Sequence, residues 1–345
     1  MSNDGLQFRS PWERGVVILS IDTEQRWGYV DLLDDAQFDR RYPGALEIHD
    51  RMLTALTSAG IGATWFVVGG LSLHGSHGAR DRRMSGLPNA WAERIPAGSE
   101  SSLPQWYRRS FVERLRDAEP AQEIGLHGGL THFLWTGAES SREAVEWELA
   151  EGVRALEQLG IRPLSFSFGR EREAHHDLLA ARGVRGYRGR TVSLAHRLGQ
   201  SIAGKLLRAT DELMAAAPPV VWPQETLPGV WNIPSSLFLY PLCAARSRLI
   251  RPRSRVERFS RGVEAAARHR AIFHYCLHPE NLAESPEGCS LFEEMLDRLQ
   301  SVAALGDIEV LTMGEVIARM DRRETTASLA GISIAATSKE RKTHE

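Results

Sequence analysis

Cysteine is scarce in this chain and follows no pattern: Cys243, Cys276 and Cys289 are an odd three among 345 residues, with no CxxC pair. A disulfide framework and a zinc ribbon are both unsupported, and a reducing compartment is expected. Long apolar runs are missing too. None approaches the about 20 residues that span a bilayer, so stable membrane insertion is not expected. The polar start, Met1-Ser2-Asn3-Asp4-Gly5, has no apolar core of a secretory signal, and a cytoplasmic location is the expectation. Charge of one sign is not concentrated: the formal net charge is −2, with acids and bases mixed along the chain, which argues against nucleic acid as a partner. Arg251-Pro252-Arg253-Ser254-Arg255 reads as a solvated loop or a helix start. A Gly-x-Ser-x-Gly elbow is absent, and so is a glycine-rich phosphate loop; neither serine-nucleophile nor phosphate-cradling chemistry is indicated.

What is present is a core: 42% of the residues are hydrophobic, and they are arranged in short apolar runs alternating with helical patterns. Val16–Ile21 reads as a strand buried on both faces. Strands are further expected at Ala63–Val68, Glu123–His127, Leu164–Phe168, Gly186–Arg188, Val230–Ile233, Ala271–Leu277 and Ile308–Leu311. Helices are expected over Ala45–Ala59, Trp106–Ala118, Ala174–Ala181 and Gly314–Met320, and after a capping box at Ser140 and Glu143. Residues 192–229 are mixed, helical in the middle. Residues 72–104, rich in Gly, Ser, Pro and His, read as a long, weakly structured loop of functional type. The pattern predicts one domain over 12–320, a distorted α/β barrel of seven or eight βα units, followed by a polar, disordered tail over 321–345.

In such a barrel the working residues collect at the C-terminal ends of the strands. That rule selects Asp22 and Glu24 after the first strand, His127 and His132 after the third, Arg170 after the fourth and His278 after the seventh. Two imidazoles with a carboxylate suit a divalent metal that keeps one position for water, zinc first and cobalt or nickel next. A second carboxylate suits general-base work, and a further histidine suits protonation of a departing amine. Trp27 and Trp135 flank these segments and are candidates to stack on a sugar ring, or else core tryptophans. His74 and His77 have ligand spacing but no accompanying carboxylate, and His175-His176 reads as surface or packing.

The segment Ser20-Ile21-Asp22-Thr23-Glu24-Gln25-Arg26-Trp27-Gly28 resembles the first motif of the NodB-type polysaccharide deacetylases. Glu123 through His132 resembles their histidine motif, and Ser165 to Gly189 their arginine-bearing stretch. Gly229–Ser236 and Leu277–Leu282 are similar to later segments. The resemblance implies a metal-dependent N-deacetylase of an amino-sugar or glycoside substrate. It implies Asp22 as base, Glu24, His127 and His132 as metal ligands, His278 as acid and Arg170 orienting the base. The chain departs from the pattern in three places: its histidines stand five apart rather than four, Glu24 replaces an Asp, and Gly169-Arg170-Glu171 stands where Pro-Arg-Asn is common. Two other readings remain open: hydrolysis of a cyclic amide on the same fold, and a non-catalytic barrel that binds carbohydrate or a partner. No feature of the sequence specifies an oligomeric state.

Overall fold

The computed structural model describes residues 11–137, 140–199, 201–241, 250–283 and 287–323. Within them lie twelve strands: β1 (Gly15–Thr23), β2 (Thr64–Val67), β3 (Gly75–His77), β4 (Ala97–Ser99), β5 (Glu123–His127), β6 (Ser165–Ser167), β7 (Gly186–Gly189), β8 (Gln224–Leu227), β9 (Val230–Pro234), β10 (Leu237–Leu239), β11 (Ile272–Leu277) and β12 (Ile308–Val310). All eight strands expected from the sequence are among them.

The main sheet runs β10-β11-β1-β2-β5-β6-β7-β9-β8, parallel throughout except for β8, which returns antiparallel to β9. Its two ends meet, because only Ser235 and Ser236 separate β9 from β10. The Ser235 amide still donates to Gly189 O on β7, while the Ser236 amide donates to His274 O on β11. One bent segment thus serves both neighbours and curls the sheet into a barrel. β12 pairs with only the first residues of β1, Gly15–Val17, and fills the gap below β2, which pairs with Ser20–Thr23. The result is a distorted (β/α) barrel, in agreement with the sequence reading.

Side chains alternate across each strand, so parity decides which reach the interior. On β1, Val17, Leu19 and Ile21 join the outer cluster under the helices, whereas Val16 and Ile18 join an inner cluster with Phe66, Trp231, Ile233, Ile272 and Ile317. The same inward parity continues upward to Ser20 and Asp22. An apolar floor therefore passes, two residues at a time, into a polar rim.

Three sequence expectations are corrected. The helix Arg142–Glu157 is capped by Ser141, whose side chain accepts from the Ala144 amide; the Ser140 hydroxyl donates instead to Leu134 O. Residues 72–104 are not weakly structured: they carry the β3–β4 pair, 3-10 turns and the helix Asn89–Ala92. Buried Met84, Trp91 and Ile95 anchor them in the outer core, and the Trp91 indole donates to Thr131 Oγ1 at 2.9 Å. The closing helix occupies 313–323, so the domain continues past 320. The remainder of the expected tail, 324–345, lies outside the described residues, as does Cys243; Cys276 and Cys289 are buried free thiols. Among the described residues no helix is long and apolar enough to cross a membrane.

Gly152 sits where the helix Arg142–Glu157 touches the loop after β5. A Cβ there would stand 2.6 Å from Gly129 C and 2.8 Å from Leu130 N. Helix propensity alone would make Gly152→Ala stabilising by about 1 kcal/mol. The backbone clash reverses the sign, and a loss of about 1–3 kcal/mol is expected from urea unfolding midpoints.

Candidate active site

Asp22 lies within β1 and Glu24 one residue beyond it, and both are buried. The chain turns at once into a 3-10 segment, Gln25–Tyr29, in which Gly28 passes under the Glu24 carboxylate. A Cβ at Gly28 would lie 1.8 Å from Glu24 Oε2, so no other residue leaves room for the acid. Trp27, expected as a sugar platform, is turned into the core by the same segment. It is fully buried, edge-on to Trp106 and Tyr107, with its indole donating to Trp106 O at 2.6 Å. Trp135 is likewise buried, against Phe166 and Phe168. Neither tryptophan reaches the pocket.

His127 ends β5. Its Nδ1 faces Ser167 O at 2.9 Å, and its Nε2 is 2.5 Å from Glu24 Oε1. The Nδ1–H donates to that carbonyl, so Nε2 is the nitrogen turned to Glu24, placed to donate to the carboxylate or, in a neutral ring, to share a cation with it. The loop then carries positive φ at Gly128 and Gly129 and, at 62°, at His132 itself. Glu148 holds this loop from beneath: its Oε1 accepts from the Thr131 amide and hydroxyl and from the Phe133 amide, one residue to either side of His132. So gripped, His132 brings its Nε2 to 3.2 Å from the same Glu24 oxygen. The five-residue spacing is thereby accommodated. Glu148, an acid on the helix Arg142–Glu157 and outside every motif, is not legible in the sequence; burial raises its carboxyl to about 7.

Asp22 is paired with Arg188 of β7, not with Arg170. Arg188 Nη2 donates to Asp22 Oδ2 at 2.6 Å and to Ser167 Oγ at 2.8 Å, and Nη1 donates to Ser20 Oγ at 3.1 Å. Ser20 in turn lies 2.9 Å from Nε2 of His274, whose Nδ1 faces Pro234 O at 3.1 Å. Arg170 sits at the mouth of the pocket, in an ion pair with Asp31. The strand-end rule misplaces the role because an arginine inside a strand, at inward parity, is long enough to reach the rim from below.

His278 follows β11. Its Nε2 is 3.3 Å from Asp22 Oδ2 and its Nδ1 is 3.6 Å from Glu24 Oε2. Burial lowers its pKa, but the neighbouring Glu24 and Asp22 charges outweigh this and raise it to about 9. Burial pushes the Asp22 carboxyl up, while Arg188, His127 and His278 together hold it well below the usual carboxylate range. Glu24, opposed by burial in the same way, is also held low by His278, His132 and His127. Asp22, Glu24, His127, Arg188 and His278 form one wall of a pocket of about 400 Å³, with His132 behind it; the other walls include Tyr29, Phe168, Phe238, Tyr240 and Arg208. Phe238 packs edge-on to His278 at 5.2 Å. The aromatic rings offered to a ligand are these, rather than the two tryptophans. His74, His77 and the His175-His176 pair stand outside the pocket.

The residues fit a divalent ion. Glu24, His127 and His132 present ligand atoms within 4.8 Å of one another, all buried. Nε2 of His127 and Nε2 of His132 converge on the same oxygen, Glu24 Oε1, at 2.5 and 3.2 Å, a donor set that suits a cation at their meeting point. Asp22 Oδ1 is also buried and without a hydrogen-bond partner.

His274 supplies a pH test of the scaffold beneath the site. Burial, then the charge of Arg188, hold its pKa down at about 3, below the about 6.5 of an unfolded histidine. A depressed pKa gives stability that is complete above pH about 6.5 and is lost as pH falls from there toward about 3. His274→Gln cannot take up that proton. The difference in melting midpoint between the parent chain and the variant should therefore shrink as pH falls through this window; a difference independent of pH would contradict the assignment.

A scan against protein-family models finds no match, and no curated relative is found. Solved structures do match. A Mycobacterium smegmatis structure assigned as a polysaccharide deacetylase aligns over 91% of this chain and 93% of its own, at 17% identity and a TM-score of 0.58. A Pseudomonas aeruginosa PAO1 structure, also assigned as a polysaccharide deacetylase, aligns over 89% and 91% at 12% identity and 0.54. Puue allantoinase aligns over 88% and 89% at 12% identity and 0.53. Through these alignments the chain has the fold of the NodB-type polysaccharide deacetylases, the resemblance first carried by Asp22, Glu24, His127 and His132.

Proposed function

We propose that this protein is a metal-dependent hydrolase that removes an N-acyl group, acetyl first, from an amino-sugar-containing substrate. The observation that carries the reading is the meeting of Glu24, His127 and His132 at one buried point, with Asp22 and His278 beside it on the wall of a pocket. Glu24, His127 and His132 would hold the ion, zinc or else cobalt or nickel. When bound, such an ion polarises an amide carbonyl and acidifies water.

The chain's own groups supply the rest. Asp22, kept ionised by Arg188, accepts the proton of the attacking water at Oδ1, its free oxygen. His278, placed between Asp22 and Glu24, delivers a proton to the departing amine nitrogen. Arg188 positions Asp22 and does not touch substrate in this account. Phe238 and Tyr240 give a sugar ring apolar faces to pack on. Arg170, proposed from the sequence as a partner of the base, is reassigned to the pocket mouth with Asp31.

A second reading, opening of a cyclic amide, has the same requirements of base, acid and ion, and the shared fold of an allantoinase supports it. Product analysis separates the two: incubation of the metal-loaded chain with N-acetylated chitooligosaccharides should release acetate, whereas a ring-opened carboxylate from allantoin would favour the second. Asp22→Asn should lower kcat by about a hundredfold to ten-thousandfold while KM changes little. An equal loss in both parameters would contradict the role of base.

A further inference from the structure

The helix Ile202–Leu213 is built inside out. Gly204, Arg208 and Glu212, spaced four apart, form its buried face. Ile202, Leu206, Ala209 and Leu213, spaced four, three and four apart, form a stripe on the opposite face that is exposed: Ile202 is 79% accessible, Leu206 64% and Leu213 60%. A helix at a protein surface normally turns such a stripe inward.

Arginine hydrogen bonds, not apolar packing, hold the buried face. Arg208 Nη1 donates to Ala195 O at 3.1 Å and Gly199 O at 2.8 Å. Arg255 lies 3.4 Å from Glu212, and Arg261 donates to Ala215 O at 2.6 Å. The stripe is thus left outward by a specific set of contacts. The short helix before it, Leu194–Arg197, adds exposed Leu194, and Leu198 follows.

This surface is continuous with the pocket. His196, Gly199 and Arg208, all within the same helical pair, line the pocket wall. Two exposed cations, Arg197 and Lys205, flank the stripe, while the acids of the same helix, Asp211 and Glu212, are turned to Arg258 and Arg255. An apolar stripe flanked by cations at a pocket mouth has the chemistry of a helix lying in an anionic lipid interface.

We propose that the face formed by Leu194–Leu213 seats on a lipid bilayer, so that the pocket receives an amino-sugar headgroup carried on a lipid anchor. The naming of the substrate rests on the hydrolase reading above; the lipid seat does not. The apolar stripe enters the interface, the cations meet anionic headgroups, and the polar face of the same helices forms the pocket wall beneath.

The full chain would be mixed with phosphatidylcholine vesicles, with and without phosphatidylglycerol, and sedimented. Binding that requires the anionic lipid is expected, and Ile202→Glu with Leu206→Glu should lower the bound fraction by about tenfold or more. Both positions are exposed, so the melting midpoint should not move, and an unchanged midpoint keeps the result interpretable. A chain that stays in the supernatant overturns the proposal. So does a dimer on a sizing column that Leu206→Glu dissociates without any vesicle binding, since a second copy would then cover the stripe. Hydrolysis is read separately, by comparing an N-acetylglucosaminyl lipid in vesicles with the same sugar free in solution. Faster release of acetate from the vesicle-borne sugar supports the substrate assignment; equal rates overturn it. Vesicle binding with no amide cleaved from any substrate counts against the hydrolase reading and leaves the lipid seat standing.

Discussion

Two carboxylates buried at the end of a single strand have to be neutralised before this barrel can close. Each of them costs several kcal/mol to desolvate if left alone. Asp22 is answered by Arg188, which reaches up from β7 and is itself fixed by Ser167, Ser20 and, through Ser20, His274. Glu24 has no such arginine. It is surrounded by the imidazoles of His127, His132 and His278, two of which turn Nε2 to the same Oε1, the arrangement in which a shared cation is proposed. The two acids stand only two residues apart, yet one is satisfied by an arginine and the other is ringed by imidazoles. On that difference rests the proposal of Asp22 as base and Glu24 as ligand.

The rest of the fold serves this division. Alternation along β1 and β11 sets Val16, Ile18 and Ile272 below and Asp22 and His278 above, so the same strands build the floor and carry the site. The left-handed turn at His132 is an uncommon conformation for a side chain of that size. The three hydrogen bonds that Glu148 accepts and the close packing at Gly152 hold it, and the 72–104 segment buttresses it through Trp91 and Thr131. A segment that looks from its composition like a flexible functional loop therefore acts, in part, as the outer support of the His132 turn.

Much of this was legible in the sequence because parallel strands buried on both faces are short, continuous and apolar, and the barrel rule then points to the residues at their ends. Asp22, Glu24, His127, His132 and His278 were all reached in that way, and the structure brings them together. Arg188 was not, because it lies within its strand and only its length lifts the guanidinium to the rim; the signal available was its inward parity between Gly186 and Gly189. The tryptophans misled for the opposite reason. Being next to a motif in sequence says nothing about which way a 3-10 turn faces, and Trp27 is rotated into the core. The sequence does not show β10, which has only three residues, and it shows the helix Pro252–His269 only as a loop or helix start at Arg251–Arg255, because its buried face includes Arg255 and Arg258, which break the apolar period.

The central claim is that one divalent ion is held jointly by Glu24, His127 and His132. Anomalous diffraction at the zinc edge, from crystals of the full chain grown with zinc, tests it directly. The account predicts a single strong peak about 2.0–2.2 Å from Glu24 Oε1 and from Nε2 of both histidines. Zinc bound only elsewhere on the chain, or no peak at this point with both imidazoles still turned toward Glu24, would contradict it.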